Sequence, residues 1–359
     1  MVTIVYAYRN REVSRIKSTL DSLLIQTNKN FKVVFVDYGS DIELSSQIKK
    51  VVESYSFATY YYIHAQLVLW NKSKTLNYGI KKTTTPYVFI ADVDLIFSPD
   101  AIALFQKIAQ PETAFLFNLG YLSKKTSNRL LNSQQFNEFK PKHFGNINGM
   151  LLVHKEALEK VNGYDTFFHF YGSEDVDLYQ RLSNAGYEII QRKEQFFYHN
   201  WHIIYNTYND GKMSVIPRLY NVKRINQQHY LRNKDKKVII PDRQLNYGEV
   251  VSKEDQEVLL KPTETIELKN IHEQVHHFFK EELQTKKETV LRVLIKEDPF
   301  CRTFKYWVKK LLKKQSQPYI SMKAVNDLIL MKIIYIYRDV NYTYEITKDL
   351  KTIIFTIKL

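Results

Sequence analysis

Two pairs of carboxylates in this chain have the types and spacing for chemistry. Asp92-Val93-Asp94 follows the apolar run Tyr87-Val88-Phe89-Ile90-Ala91, and Glu174-Asp175 opens the helix-like run Val176-Asp177-Leu178-Tyr179-Gln180-Arg181-Leu182. In extended backbone, residues i and i+2 point to the same side, so Asp92 and Asp94 can face one ligand. Carboxylate oxygens suit hard divalent cations such as Mg²⁺ or Mn²⁺. A cation held there against a diphosphate acts as a Lewis acid and stabilises a departing nucleotide. Neighbouring residues on a helix diverge by about 100°. One of Glu174 and Asp175 can therefore bind a hydroxyl while the other takes its proton, and a helix N-terminus is expected to keep that carboxylate ionised. Together the pairs suggest sugar transfer from an activated nucleotide.

Other residues could complete such a site. His199 and His202 lie in Phe196-Phe197-Tyr198-His199-Asn200-Trp201-His202 and offer neutral imidazole ligands to a mostly oxygen site. Asp37 ends the run Val33-Val34-Phe35-Val36, where a carboxylate can accept from a base N–H or a ribose hydroxyl, and Gly39 permits the turn that follows. Ser173 stands where a helix N-cap would. Each signal has a bland counterpart. Asp-x-Asp triplets are common in solvated loops, a lone histidine among aromatics is commonly packed in a core, and acids gather in first helical turns for dipole reasons alone.

The elements needed to position these residues are also legible. Thr3–Tyr8, Phe31–Val36, Tyr60–Ile63 and Tyr87–Asp92 read as strands. Between them Val13, Ile16, Leu20 and Leu23 or Leu24 recur at helical spacing after a candidate Asn10 cap. Leu44, Ile48 and Val51 or Val52 do the same, and a third helix covers Asn71–Lys82. This alternation predicts an α/β fold, Rossmann-like, with a mostly parallel sheet flanked by helices. Ligands in such sheets lie beyond the carboxyl ends of the strands, where Asp37 and Asp92 fall. Residues Gly120–Asn146 are polar and read as a long loop over the site. Gly149–His154 reads as a strand. The predicted organisation is a catalytic domain over 1–230, a linker over 231–256 and a smaller, basic, mainly helical domain over 257–359.

Bulk properties narrow the setting. The net charge is +14, and residues 231–359 carry 25 basic against 18 acidic side chains, so anionic partners are favoured. Cys301 is the only cysteine, which excludes an intrachain disulfide and fits a reducing, cytoplasmic compartment. A strand-like segment begins at once, so a leader is not expected. No apolar run reaches the roughly 18–20 residues of a membrane span. Phe304, Trp307, Val308, Leu311 and Leu312 recur at helical spacing among lysines, and no acid occurs between Asp298 and Asp327. Such a helix either lies on an anionic membrane, on its inner face, or packs its stripe on its own domain. A nucleic-acid partner is not expected, because no recognition motif accompanies the charge.

Taken together, residues 1–205 resemble the GT-A glycosyltransferases of family 2 and the C-terminal motif region of β-1,4-galactosyltransferases and chondroitin-polymerase-type enzymes. Val36-Asp37-Tyr38-Gly39-Ser40 is similar to the family's Val-Asp-Asp-Gly-Ser nucleoside motif, with Tyr38 in place of the second acid. Trp70-Asn71-Lys72-Ser73-Lys74-Thr75-Leu76-Asn77 resembles the segment that brings a basic residue, here Lys74, and an Asn, here Asn77, near the donor. Asp92-Val93-Asp94 matches the metal motif. Asn162-Gly163-Tyr164-Asp165 and Tyr171-Gly172-Ser173-Glu174-Asp175-Val176-Asp177 resemble the Asn-Gly-Phe and Trp-Gly-Gly-Glu-Asp-Asp-Asp block. The resemblance implies Asp175 as the base, Glu174 as an acceptor contact and Tyr171 as an aromatic platform. It also implies a metal shell of Asp92 and Asp94 completed by His199 or, second, His202. The implied reaction is inverting transfer of a hexose or N-acetylhexosamine, galactose or GalNAc in type, from a UDP-sugar, with Mn²⁺ or Mg²⁺. The acceptor would be a glycan or lipid-linked saccharide in surface polysaccharide synthesis. The competing reading, prompted by Tyr38, is a non-catalytic module that binds nucleotide or glycan and scaffolds an assembly.

Overall fold

The computed structural model describes residues 1–133, 140–146, 149–202 and 209–359. The chain divides into two compact units. The first comprises Met1–Gln66, Trp70–Thr207 and Lys223–Val250; the second comprises Leu67–Leu69, Tyr208–Val222 and Val251–Leu359.

The first unit begins β1 (Val2–Tyr8), α1 (Val13–Leu24), β2 (Phe31–Tyr38), α2 (Ile42–Glu53), β3 (Ala58–Ile63), α3 (Lys72–Lys82) and β4 (Tyr87–Ala91). It continues with β5 (Leu95–Phe97), α4 (Ala101–Ile108), β6 (Thr113–Phe117), β7 (Leu119–Tyr121), α5 (Lys124–Ser133), β8 (His143–Gly145) and β9 (Leu151–His154). Then come α6 (Lys155–Lys160), α7 (Glu174–Asn184), β10 (Glu188–Arg192), β11 (Phe197–His199) and α8 (Val222–Asp235). Its main sheet has seven strands in the order β10-β6-β9-β4-β1-β2-β3, with β9 alone antiparallel to its neighbours. Alternate residues of β1 point to opposite faces. Val2, Ile4, Tyr6 and Tyr8 join Ile16 and Leu20 of α1 and Ile48 and Val52 of α2 in one core. On the other face Gly79 brings α3 against Val5, Val34 and Val36. The mostly parallel α/β architecture read from the sequence is the one observed.

Two local expectations change. Asn10 does not cap α1; its backbone is left-handed, and its side chain instead accepts the Asp41 N–H at 3.0 Å, tying the β1 end to the start of α2. The polar stretch 120–146 is not all loop. Ser123 Oγ accepts the Thr126 N–H to start α5, and β7 pairs with β8; residues 134–139 lie outside the described residues.

Residues 236–250, read above as linker, bond to the motif loop of the first unit. Gln244 accepts the Thr166 N–H and donates to the carbonyls of Asn162 and Tyr164, all within 2.9 Å. From α8, His229 and Asn233 reach the buried carboxylate of Asp165, and Asn233 also donates to Asp177 at 2.9 Å. Arg181 completes this scaffold. Its side chain is 1% exposed, pairs with Asp177 at 2.7 Å, and donates to the carbonyls of Val161 and Gly163 at 2.8 Å.

The second unit contains α9 (Lys253–Leu259), β12 (Glu264–Lys269), α10 (His272–His277), a π-turn over Phe278–Glu282, α11 (Leu283–Thr285), β13 (Val290–Lys296), α12 (Phe304–Leu311), α13 (Met322–Lys332), β14 (Tyr342–Ile346) and β15 (Thr352–Lys358). The helical character expected of the C-terminal part is present, and α9 extends it back into residues read as linker. A four-stranded sheet, β12-β13-β15-β14, accompanies the helices.

Replacing Arg181 leaves Asp177 buried without its cation, and breaking such a pair from one side costs about 3–5 kcal/mol. Arg181→Met is expected to lower the unfolding free energy by that amount in urea titrations. Arg181→Met/Asp177→Leu should recover part of the loss.

Candidate active site

The turn after β4 carries both aspartates of the first pair, but their side chains part. Asp92 is half-exposed and its carboxylate meets the Lys72 ammonium at 3.0 Å. Asp94 is buried beneath the two histidines: His202 Nε2 lies 2.9 Å and His199 Nε2 3.6 Å from its Oδ2, with Arg15 at 3.9 Å. Burial alone would raise the Asp94 carboxyl, but His199, the His202 hydrogen bond and Arg15 hold it well below the usual carboxylate range.

Sheet register makes this meeting. In the antiparallel pairing of β5 with β11, His199 lies opposite Leu95, and the Asn200 N–H donates to the Asp94 carbonyl at 3.0 Å. The pairing is held by buried aromatics: Phe197 packs on Phe89, Phe97, Phe105 and Phe117 at centroid distances of 5.1–5.8 Å. On the other side Thr19 of α1 donates to the Leu95 carbonyl.

Asp94, His199 and His202 each offer one ligand atom, and these atoms lie within 4.8 Å of one another. Three features fit a divalent cation. The donors are one carboxylate and two imidazoles, a set suited to first-row metals. Asp94 Oδ1 is buried without a hydrogen-bond partner. The 2.9 and 3.6 Å separations sit around the ~3.0 Å edge of an octahedron with ~2.1 Å bonds. Both candidate histidines are therefore in the group. Asp92, expected in the same shell, is not; its carboxylate is directed to Lys72.

The second pair converges on that same Lys72. Its Nζ lies 3.7 Å from Glu174 and 4.0 Å from Asp175. Burial alone would lower the Lys72 ammonium, but Asp175, Asp92 and Glu174 raise it well above its ordinary value, so it stays charged. Gly149, just before β9, leaves room for this cluster. A Cβ there would lie about 3 Å from both the Asp175 carboxylate and the Lys72 ammonium.

Asp175 departs from expectation. Its carboxyl is not kept acidic by the helix N-terminus. Burial pushes it up to about 7, with Lys72 opposing and the charges of Glu174 and Asp92 adding to the rise. Its Oδ1 has no hydrogen-bond partner, and neither does the buried hydroxyl of Tyr164. Ser173 precedes the helix but does not cap it: it adopts φ +72°, and its hydroxyl makes no cap bond. Tyr171 is 48% exposed, and the Lys223 ammonium lies 4.8 Å over its ring.

Three expected donor contacts take other positions. Asp37 is fully buried; its carboxylate accepts the Ser40 N–H at 2.9 Å and the Tyr60 hydroxyl at 2.8 Å, closing the turn after β2. At the same turn Gly39 has φ +70°, and a Cβ there would strike the Ala65 backbone at 2.3 Å. Asn77 is 1% exposed and bonds three ways to backbone: it donates to Tyr164 and Tyr247 carbonyls and accepts the Tyr164 N–H at 2.7 Å. It therefore places Tyr164. Lys74 lies two residues beyond Lys72 on α3, about 200° around the helix, and among the described residues it is Lys72 that meets the acids. Lys72 was available in the Trp70–Asn77 segment. The signal for choosing it over Lys74 was its place as the first residue of the helix, at the carboxyl edge of the sheet. Tyr38, replacing the second acid, is buried with its ring edge-on to Trp70 at 5.8 Å.

Residues 3–162 match the family model for glycosyl transferase family 2, and residues 129–203 match one described as the N-terminal domain of galactosyltransferase. No curated protein matches the sequence. Solved structures similar to the chain include a mannosyltransferase from Pyrobaculum calidifontis in complex with GDP-Man and Mn²⁺, at 20% identity, covering 66% of this chain and 64% of that one, TM-score 0.42. They also include TarS of S. aureus, at 13% identity, 56% and 36% coverage, TM-score 0.41. A third is GalNAc-T7 with UDP, GalNAc and Mn²⁺, at 11% identity, 66% and 49% coverage, TM-score 0.48. The chain spans less than two thirds of each of these structures.

The site generates two predictions. His202→Ala should weaken Mn²⁺ binding at least about tenfold by calorimetry, since even an outer-shell partner of a metal ligand is worth about 10–100-fold. The raised Asp175 carboxyl carries a stability sign. The folded protein binds this proton more tightly than the unfolded chain, whose value is near 3.8, so stability falls as pH rises from about 4 towards about 7. In metal-free buffer Asp175→Asn should therefore melt higher than the parent at pH 8 and close to it at pH 4.

Proposed function

We propose that this chain, a family 2 glycosyltransferase over its N-terminal part, transfers a hexose or N-acetylhexosamine from a UDP-sugar to a saccharide hydroxyl with inversion at the anomeric carbon. The observation that carries the reading is Asp175. It is a largely buried carboxylate with one unpartnered oxygen and a proton affinity near neutrality, held at the N-terminus of α7 beside an exposed aromatic face. A general base works best when its pKa lies near the working pH, so the raised value makes Asp175 a stronger base than an ordinary carboxylate.

In this reading Tyr171 offers its ring to a sugar face and Glu174 orients the acceptor hydroxyl. Asp175 takes the proton of that hydroxyl as its oxygen attacks the anomeric carbon from the face opposite the nucleotide. The C–O bond to the UDP phosphate breaks, and UDP leaves as the anion. Asp94, His199 and His202 would hold a divalent cation, Mn²⁺ by their nitrogen content, which supplies Lewis-acid stabilisation to the leaving diphosphate. Lys72 stands between the halves. Its charge keeps Asp92 and Asp175 from repelling each other and adds a positive field where the diphosphate charge develops.

Donor type follows the family the motifs resemble, with galactose or GalNAc the sugar. The acceptor would be a growing glycan or a lipid-linked saccharide of a surface polysaccharide, and the single cysteine fits assembly on the cytoplasmic side.

The test is transfer and UDP-sugar hydrolysis measured with Mn²⁺. Asp175→Asn should lose about 10²–10⁴-fold in kcat while UDP and Mn²⁺ still bind by calorimetry. For the parent, kcat should rise with pH through an apparent pKa near 7, because the base must be unprotonated. Near-parental turnover in Asp175→Asn would overturn the assignment.

A further inference from the structure

The helix α12 has a use that sugar transfer leaves unexplained. It is well anchored at its root. Thr303 Oγ1 accepts the Tyr306 N–H at 3.2 Å. Just before it, Asp298 accepts the Phe300 N–H, the Tyr319 hydroxyl and the Lys269 ammonium, each within 3.0 Å. Tyr306 sets its ring against Phe300 and Tyr319, at 6.0 and 5.2 Å. The helix is therefore fixed to its unit by its Tyr306 side.

The opposite side is apolar and uncovered. At about 100° per residue, Phe304, Trp307, Val308 and Leu311 fall in one sector. Phe304 is 77%, Trp307 57% and Leu311 67% exposed, and Leu312 next to them 56%. No residue of the helix is buried. The alternative that this stripe packs on its own domain is thus contradicted. Lys305 and Lys310 border the sector on either side, and Lys313 and Lys314 follow it. From residue 299 to 326 the sequence has seven basic residues and no acid.

We propose that α12 docks on an anionic lipid bilayer, with Phe304, Trp307 and Leu311 entering the interface and the flanking lysines reaching the headgroups. Charge selects this occupant. An apolar stripe bordered on both sides by long cationic chains lets the methylenes follow the apolar residues inward while the ammonium groups stay with phosphate. Tryptophan favours the same interfacial depth. Eight residues make too short a helix for a stable helix–helix seam, whereas a bilayer needs only the exposed face. This inference stands apart from the catalytic reading, since no residue of the transfer site takes part in it.

The experiment is co-sedimentation of the full chain with phosphatidylcholine vesicles, alone or with about one third phosphatidylglycerol, at low and high salt. The protein should pellet at least about tenfold more strongly with the anionic vesicles and be released by salt. Phe304→Ser/Trp307→Ser and, separately, Lys305→Glu/Lys310→Glu should each lower pelleting about tenfold, with melting temperatures unchanged because all four side chains face solvent. Equal pelleting with both vesicles, none with either, or undiminished pelleting of both variants would overturn the proposal. So would a dimer in sedimentation velocity that Phe304→Ser/Trp307→Ser dissolves without any vesicle effect, which would assign the face to a second copy of the chain.

Discussion

One largely enclosed ammonium organises the candidate site. Three carboxylates, Asp92, Glu174 and Asp175, come from two segments far apart in sequence and would repel one another at this range. Lys72 lies within 4.0 Å of all three. Burial is what raises the Asp175 proton affinity; Lys72 opposes the rise, and with one cation among three acids the charges of Glu174 and Asp92 add to it. An arrangement with fully matched charge would be more stable and would carry a weaker base. The strain of an uncompensated buried acid is the kind of cost that functional sites accumulate.

A deficit of that sort is tolerable only on a rigid support, and the support is polar. Asn77, Arg181, Gln244 and Asn233 are all buried and spend their donors on backbone carbonyls or buried acids around Asn162–Thr166. Each satisfies groups in a loop that has no strand partner. Unpaired, those groups would cost a full desolvation penalty each. The loop residues Asn162, Phe170 and Ser173 sit at positive φ, so the chain here is held against its local preference by these bonds. Several residues that look catalytic by type, Asn77, Asp165 and Asp177, belong to this framework, and Asp37 is consumed in closing the turn after β2.

The metal-ligand group rests on a different constraint. A one-residue slip of β11 against β5 would turn His199 to the other face. The register is pinned by the Phe197 cluster beneath it, so an aromatic core positions the polar group above. This explains why the trailing histidines could be found by order along the chain, while their joint contact with Asp94, and the separation of Asp92 from it, could not. The register that decides both is a property of two strands paired in space.

The amino-acid sequence by itself determined the α/β rhythm, the strand ends where Asp92 falls, the acidic block at Glu174-Asp175 and the amphipathic, acid-free character of α12. These follow from local periodicity and residue order, which act over a few neighbours. It also pointed to the segment holding Lys72, though not to that residue. Only the tertiary structure decided which polar side chains face the cleft and which are consumed inside: Lys72 rather than Lys74, His199 and His202 together, Asp37 and Asn77 withdrawn into backbone bonds. It alone decided the raised proton affinity of Asp175 and the uncovered face of α12. The physical reason is common to all of these. Burial, charge and hydrogen-bond saturation depend on which distant segments meet, and a spacing of residues along one chain carries no record of that meeting.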